Sequence, residues 1–389
     1  MSIQLFKHLF VYPWDIVDNG IEEALLSIKK LGISSIGIAT FYHKAKIFTP
    51  NNKRRAVYYN KSSSAYFKPD KKKYRDLECK TSQYFDNYLK CNNSDMMSDI
   101  ISVAISNELN VNSWVVVLHN SYLASQFPNF AVTNLYSDVY THALCPSNPE
   151  VTDYAISLLI DIAENYKFKN LFIESLDYSG FLHGDHHEMI GIKDTETLEK
   201  ILGLCFCERC KQKAIHLGID VKKLISGLKH SLDCLRMLKA VDFSRISFLI
   251  DRYIDMRSMQ IESIYKKVYT HLKSKNISTG LFPIIWLMGG SNPAFYGVNV
   301  GRLSPFTDGF IAAYPDCANT VVDFVQKARS LVGYDKKLIG GVRLLAPQVE
   351  CLDDVRRYIG EYQKSGIGDI IFYNYGLSPY PFLEEITKY

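Results

Sequence analysis

Long apolar runs are missing from this sequence. None approaches the roughly 20 residues that a membrane-spanning helix needs, so no span is expected. The opening Met1-Ser2-Ile3-Gln4-Leu5-Phe6-Lys7-His8 lacks the charged, apolar and small-residue regions of a secretory leader, and a cytoplasmic protein is expected. Internal repeats and low-complexity linkers are also missing. No Gly-rich phosphate loop follows the first apolar run, and Gly289-Gly290-Ser291 is not followed by Lys, which argues against a nucleotide fold. There is no Gly-x-Ser-x-Gly elbow for serine chemistry and no His-Glu-x-x-His for a zinc protease. No helix-turn-helix or RNA-binding signature is present, so nucleic acid is not an expected partner. The cysteines number nine, an odd count in a chain expected to be cytosolic, which excludes a disulfide framework.

With 47% hydrophobic and 22% charged residues, the 389-residue chain is expected to be a globular protein with a large core. The net charge of +4 hides an asymmetry. Lys44 to Lys80 contains twelve Lys or Arg against Asp70, Asp76 and Glu78, so this stretch carries +9 and the remainder −5. A solvated basic loop explains that, and a basic lip that attracts an anionic substrate is the sharper reading.

Eight short apolar runs read as strands: Leu5–Tyr12, Ser35–Phe41, Ser113–Leu118, Asn170–Leu176, Thr279–Ile285, Gly309–Tyr314, Lys337–Leu344 and Asp369–Tyr375. Most are separated by helical periodicity, as at Ile21–Leu31, Ser94–Glu108, Pro149–Tyr166, Ala318–Leu331 and Leu352–Lys364. Continuous apolar strands suit a parallel sheet buried on both faces. Eight such units predict an α/β fold, the (β/α)8 TIM barrel, with a doubly wound sheet as the alternative. One domain, 1–389, is expected to carry two long insertions: a basic, aromatic one at 42–92 after strand two, and a mostly helical one at 178–275 after strand four.

Barrel active sites lie at the C-terminal strand ends. There the sequence places Trp14 and Asp15, then Tyr42, His43 and Lys44, then His119 and Asn120, then Glu174 and Asp177. Tyr314 and Asp316, Arg343, and Asn374 and Tyr375 complete the set. Acids, amides, imidazoles and aromatics together suit a sugar, whose cleavage typically uses two carboxylates. Glu174 or Asp177 would supply one and Asp316 the other. Alternation along a strand keeps Glu174 and Asp177 from both facing inward unless the chain leaves the strand between them. Tyr42, His43, His119, His183, Arg343 and Tyr375 would hold the sugar. The dense His183-Gly184-Asp185-His186-His187-Glu188 reads as a polar rim of the cleft. Ser62-Ser63-Ser64 reads as plain loop, and Tyr58-Tyr59 and Tyr66-Phe67 as packing residues.

Cys205-Phe206-Cys207-Glu208-Arg209-Cys210 gathers three thiols at metal-ligand spacing and lacks a fourth ligand. Cys145-Pro146-Ser147-Asn148-Pro149, then the carboxylates of strand four, then this cysteine run follow an order that resembles the family 42 β-galactosidases and related glycoside hydrolase barrels. The resemblance covers about residues 140–215. It implies a structural zinc on Cys145, Cys205, Cys207 and Cys210, and a catalytic Glu174. The family's Asn-Glu ending strand four is Ile173-Glu174 here, and its strand-seven nucleophile Glu is replaced by Arg343-Leu344-Leu345. Asp177 instead resembles the strand-four Asp nucleophile of other barrel glycosidases. A glycoside hydrolase is therefore expected, acting on an acidic or phosphorylated glycan, with the oligomeric state open to a homo-oligomer. The rivals are a metal-dependent sugar isomerase or epimerase, for which strand five offers no ligands, and a non-catalytic carbohydrate-binding barrel.

Overall fold

The computed structural model describes residues 4–182, 189–287 and 291–389. Its centre is a barrel of eight parallel strands: β1 (Phe6–Val11), β2 (Ser35–Tyr42), β3 (Asn110–Val116), β4 (Asn170–Glu174), β5 (Gly280–Trp286), β6 (Gly309–Ala313), β7 (Lys337–Arg343) and β8 (Asp369–Tyr373). Each strand pairs with its neighbour in chain order, and β1 pairs with both β2 and β8, which closes the sheet. The predicted TIM barrel is the fold observed. No helix is long and apolar enough to cross a membrane among the described residues.

The strands are buried almost throughout, with helices such as Ile21–Lys30, Pro149–Asn165 and Val321–Val332 covering the outside. Within the wall, Phe10, Phe172 and Phe282 meet edge to face, with ring centroids about 6.1 Å apart, a geometry that stabilises beyond simple area burial. β3 begins at Asn110, earlier than its apolar run predicts. The buried Asn112 is the reason it reads as non-strand: its amide donates to Ser35 Oγ at 2.7 Å and accepts from Asn170 at 2.7 Å, so the polar groups are satisfied inside the wall.

The basic insertion is more ordered than a solvated loop. Ala45–Phe48 and Val57–Asn60 form an antiparallel hairpin. Its inner face buries Ile47 and Tyr58, and Tyr58 stacks on Trp14 at 3.9 Å. Its outer face carries exposed Lys46, Phe48, Val57 and Tyr59. Arg55 clamps the insertion to the barrel by hydrogen bonds to both carboxylate oxygens of the buried Asp18, at 2.5 and 2.9 Å. The serine run is also structural rather than plain loop: Ser64 pairs with Tyr42 on β2, and Ser63 Oγ accepts the Ser121 N–H at 3.0 Å. Between β4 and β5 the chain carries the helices Thr195–Leu202, Glu208–His216, Val221–Arg236 and Ser247–Ser274.

Gly309 opens β6 where there is no room for a side chain. A Cβ there would stand 2.5 Å from the Phe282 ring and 2.6 Å from the Lys337 carbonyl oxygen. The backbone contact cannot rotate away. Gly309→Ala is expected to destabilise by about 2 kcal/mol, read as a lower urea midpoint with an unchanged slope.

Candidate active site and metal centre

β4 ends at Glu174, and Ser175 then takes a left-handed conformation, φ +52°. This is the departure from the strand that the two carboxylates require. Leu118 N–H donates to Ser175 O at 2.9 Å, and Tyr178 N–H to Tyr296 O at 2.9 Å, so the turn is tied to β3's exit and to the loop after β5. Glu174 at the end of β4 and Asp177 just beyond it are each partly accessible, each feels burial, and the Asp177 charge is felt at Glu174.

Glu174 sits in a ring of aromatics. Trp114 of β3 donates its indole N–H to Glu174 Oε2 at 2.6 Å. The carboxylate's charge is felt by Tyr42, Tyr314 and Tyr373. The hydroxyls of Tyr12, Tyr42 and Tyr373 are mutually linked, at 2.9 Å from Tyr12 to Tyr42 and 3.0 Å from Tyr12 to Tyr373. Burial raises the Glu174 pKa from 4.5 to about 7, with the Asp177 charge adding to the rise and the Trp114 hydrogen bond opposing it. Burial also raises Asp177, to about 6, opposed by its hydrogen bond from Ser179 and by the Arg257 charge. Burial thus raises both acids, Glu174 more than Asp177, so that one can hold a proton while the other is ionised.

Other predicted residues fall around this pair. His43 stacks between Tyr42, at 4.3 Å, and His119, at 4.4 Å with the rings nearly parallel. Half-buried Arg343 ends β7 opposite Tyr373, its charge felt by Tyr314 and Tyr373, and it joins no ion pair among the described residues. Tyr375 is buried beside Asp15, which together with burial raises its hydroxyl pKa to about 12. Asp316 is exposed past the end of β6, where Pro315 accepts the Tyr358 hydroxyl, and its charge is felt by Tyr358. The cap before Ala318 is Cys317, not Asp316. His183 and its neighbours to Glu188 lie outside the described residues, as do Gly289 and Gly290.

Sequence reasoning missed Tyr12, Trp114, Tyr373 and Arg257. The first three are aromatics at strand ends in a chain with 26 Tyr. Their available signal is position alone, since each lies at or near the C-terminal end of β1, β3 or β8.

The cysteine run does find its fourth member. The sulfurs of Cys145, Cys205, Cys207 and Cys210 are all buried and lie within 4.8 Å of one another. Cys145 Sγ is 3.5 Å from Cys210, 3.6 Å from Cys205 and 3.5 Å from Cys207. Tetrahedral thiolate coordination at metal–sulfur distances of about 2.3 Å sets sulfurs roughly 3.8 Å apart, so the cluster fits an ion. The site joins three parts of the chain. Cys145 follows the strand Val139–Leu144, Cys207 and Cys210 start the helix Glu208–His216, and Cys205 accepts the Thr133 N–H through sulfur at 3.4 Å. It also borders the loop after β4: the Tyr178 hydroxyl bonds Ser147 Oγ at 2.7 Å, two residues from Cys145, and Tyr178 feels Cys145 and Cys210. Four thiol ligands would leave an ion held there no open position for chemistry.

The chain matches no protein-family model and no curated protein sequence. Its fold is matched by solved glycoside hydrolases. The PgaB (BpsB) glycoside hydrolase domain from Bordetella bronchiseptica aligns with a TM-score of 0.60 and 11% identity over 98% of each chain. The catalytic domain of β-amylase from Paenibacillus polymyxa gives a TM-score of 0.60 and 10% identity, over 100% of this chain and 98% of that one. The β-galactosidase from the psychrophilic Marinomonas ef1 gives 0.59 and 10%, over 99% of this chain, which spans 58% of that protein. At these identities the likeness is one of fold. The chain is a (β/α)8 barrel, the fold it shares with these proteins.

Two outcomes follow. Metal analysis of the purified protein should find one ion per chain. Cys207→Ser should lose it and lower the melting temperature by roughly 10 °C, because metal binding at such a site is folding free energy. Glu174 is expected to cost stability. Above pH 4.5 the unfolded chain ionises this group while the folded protein keeps the proton up to about pH 7. The penalty therefore grows across that window and is constant above it. Glu174→Gln, which keeps an acceptor for Trp114, should raise stability by about 1–2 kcal/mol at pH 8 and leave it unchanged at pH 4, read by denaturant midpoints.

Proposed function

We propose that the protein hydrolyses glycosidic bonds. The observation that carries this reading is the pairing of Glu174 and Asp177 at the end of β4, in a mouth lined with aromatic rings. Glu174, the more strongly raised acid, is the general acid that protonates the leaving oxygen. Asp177 is the anion that faces the positive charge developing on the sugar ring. Tyr42, His43 and His119 form a stacked edge of the cleft for the flat C–H faces and hydroxyls of the sugar. The roles of Asp316 and of the strand-seven nucleophile position fall away in this reading, because both acids come from one strand end.

The substrate is an anionic glycan. Arg343 supports this, as a half-buried guanidinium at the mouth with no ion pair among the described residues, suited to a carboxylate or phosphate on the sugar. The outer face of the basic hairpin, with Lys46, Phe48 and Tyr59 beside Lys44 and Lys61, extends the same chemistry outward from His43. The ion of the cysteine cluster is zinc, since four thiolates in a closed tetrahedron select it. The second reading, a barrel that binds a glycan without cleaving it, is favoured by the Arg in place of an acid at the end of β7.

A panel of neutral and anionic oligosaccharides and aryl glycosides decides between them. Hydrolysis is expected for an anionic member, with Glu174→Gln and Asp177→Asn each lowering kcat by about 10³-fold. Arg343→Met should raise KM for that substrate by about tenfold and leave neutral glycosides unaffected. Binding without turnover by the zinc-loaded wild type would establish the non-catalytic barrel.

A further inference from the structure

Arg257 lies on the long insertion helix Ser247–Ser274 and is completely buried. Its guanidinium covers the Tyr178 ring at 4.5 Å and the Phe295 ring at 5.4 Å. One nitrogen, Nη2, donates to the Tyr178 carbonyl at 3.0 Å. Nε and Nη1 are buried and have no partner among the described residues. A buried cation with unclaimed donors is costly unless it serves a nearby anion. Two anions are near enough to feel it, Asp177 and Glu199, although neither is in direct ion-pair contact.

Glu199 holds the other end of the same loop. It accepts the Phe181 N–H at 3.2 Å and the Leu182 N–H at 2.7 Å. Gly180 and Gly203 make room for it, since a Cβ at either would fall within 2.2 Å of Glu199 Oε1. Arg257 is thus enclosed between the carboxylate that fixes the loop and the carboxylate that the loop presents. Its Nη2 already holds the backbone carbonyl of Tyr178, the residue next to Asp177, so the two free donors lie behind the same turn of the loop.

Resting on the hydrolase reading above, we propose that Arg257 is a positioning residue for the carboxylate pair: held behind the loop by Tyr178 and Phe295, it fixes Asp177 as the anion through water on its two unclaimed N–H groups and leaves the proton on Glu174. A merely structural role would need only the bond to the Tyr178 carbonyl, which a neutral donor could make. Among the described residues, the groups that couple to Asp177 are Glu174, Arg257, Ser179, Tyr265 and Tyr296, and of these Arg257 is the cation.

The test uses the metal-loaded full chain with 13C-labelled carboxyls, assigned through Asp177→Asn and Glu174→Gln. In Arg257→Met the Asp177 titration midpoint should rise by about one pH unit, and in Arg257→Lys it should rise less. On the hydrolysed substrate, kcat should fall by about 10–100-fold in Arg257→Met with KM changed less than about threefold, and Arg257→Lys should recover part of the loss. If Arg257→Met does not fold, Arg257→Lys alone decides, with a displaced midpoint and a lowered kcat expected. A folded Arg257 variant with Asp177 titration and kcat both unchanged overturns the proposal. If the wild type hydrolyses nothing, the titration still reads the proposed coupling, and the hydrolase reading alone fails.

Discussion

The chain leaves the barrel wall at Ser175, and the mouth of the barrel depends on how that departure is held. A strand alone would direct Glu174 and Asp177 to different places. The left-handed turn at Ser175 takes the chain off the strand between them, and the Asp177 charge is felt at Glu174. A non-glycine residue in that conformation persists only where its surroundings determine it. Here the surroundings are specific: the Leu118 N–H on Ser175 O, the Tyr296 carbonyl on Tyr178, Ser147 on the Tyr178 hydroxyl, and Glu199 on the amides of Phe181 and Leu182.

The cysteine cluster gives that arrangement its outer anchor. Cys145 belongs to the segment before the Pro149–Asn165 helix, and Cys205, Cys207 and Cys210 to the helical insertion. Without a metal, four buried thiols offer only weak hydrogen bonds between distant parts of the chain. With one, they become a cross-link that places the insertion helix, and with it Arg257, behind Tyr178. The loop after β4 is therefore gripped by structure on both sides. The carboxylates it carries are free to sit in a partly dehydrated mouth, at a cost in stability that the barrel tolerates.

The barrel was legible because strands buried on both faces are written as plain apolar runs, and eight of them alternate with helical periodicity. It was less legible where polar residues are buried and satisfied, as at Asn110–Asn112, and where basic residues interrupt an alternating pattern, as in the hairpin Ala45–Phe48 with Val57–Asn60. The cysteines were legible by spacing for three and by resemblance for the fourth. Glu174 and Asp177 were legible as acids at a strand end, but their convergence was not, because a serine does not announce a left-handed turn. Asp316 was placed by its position after a strand, yet the chain carries it outward past Pro315. Arg257 had no signal in an amphipathic helix rich in Arg and Lys. Its complete burial and the packing of Tyr178 and Phe295 on its guanidinium set it apart in the structure.

The central claim is that the metal staple and the loop after β4 form one cooperative unit. Hydrogen exchange by mass spectrometry on a peptide covering Ser175–Leu182, before and after metal removal by a chelator, tests it most directly. The account predicts slow exchange at Tyr178, Phe181 and Leu182 in the metal-loaded protein. It predicts a loss of that protection on chelation while β1 and β8 stay protected. Unchanged protection of the loop after the metal has left would contradict it.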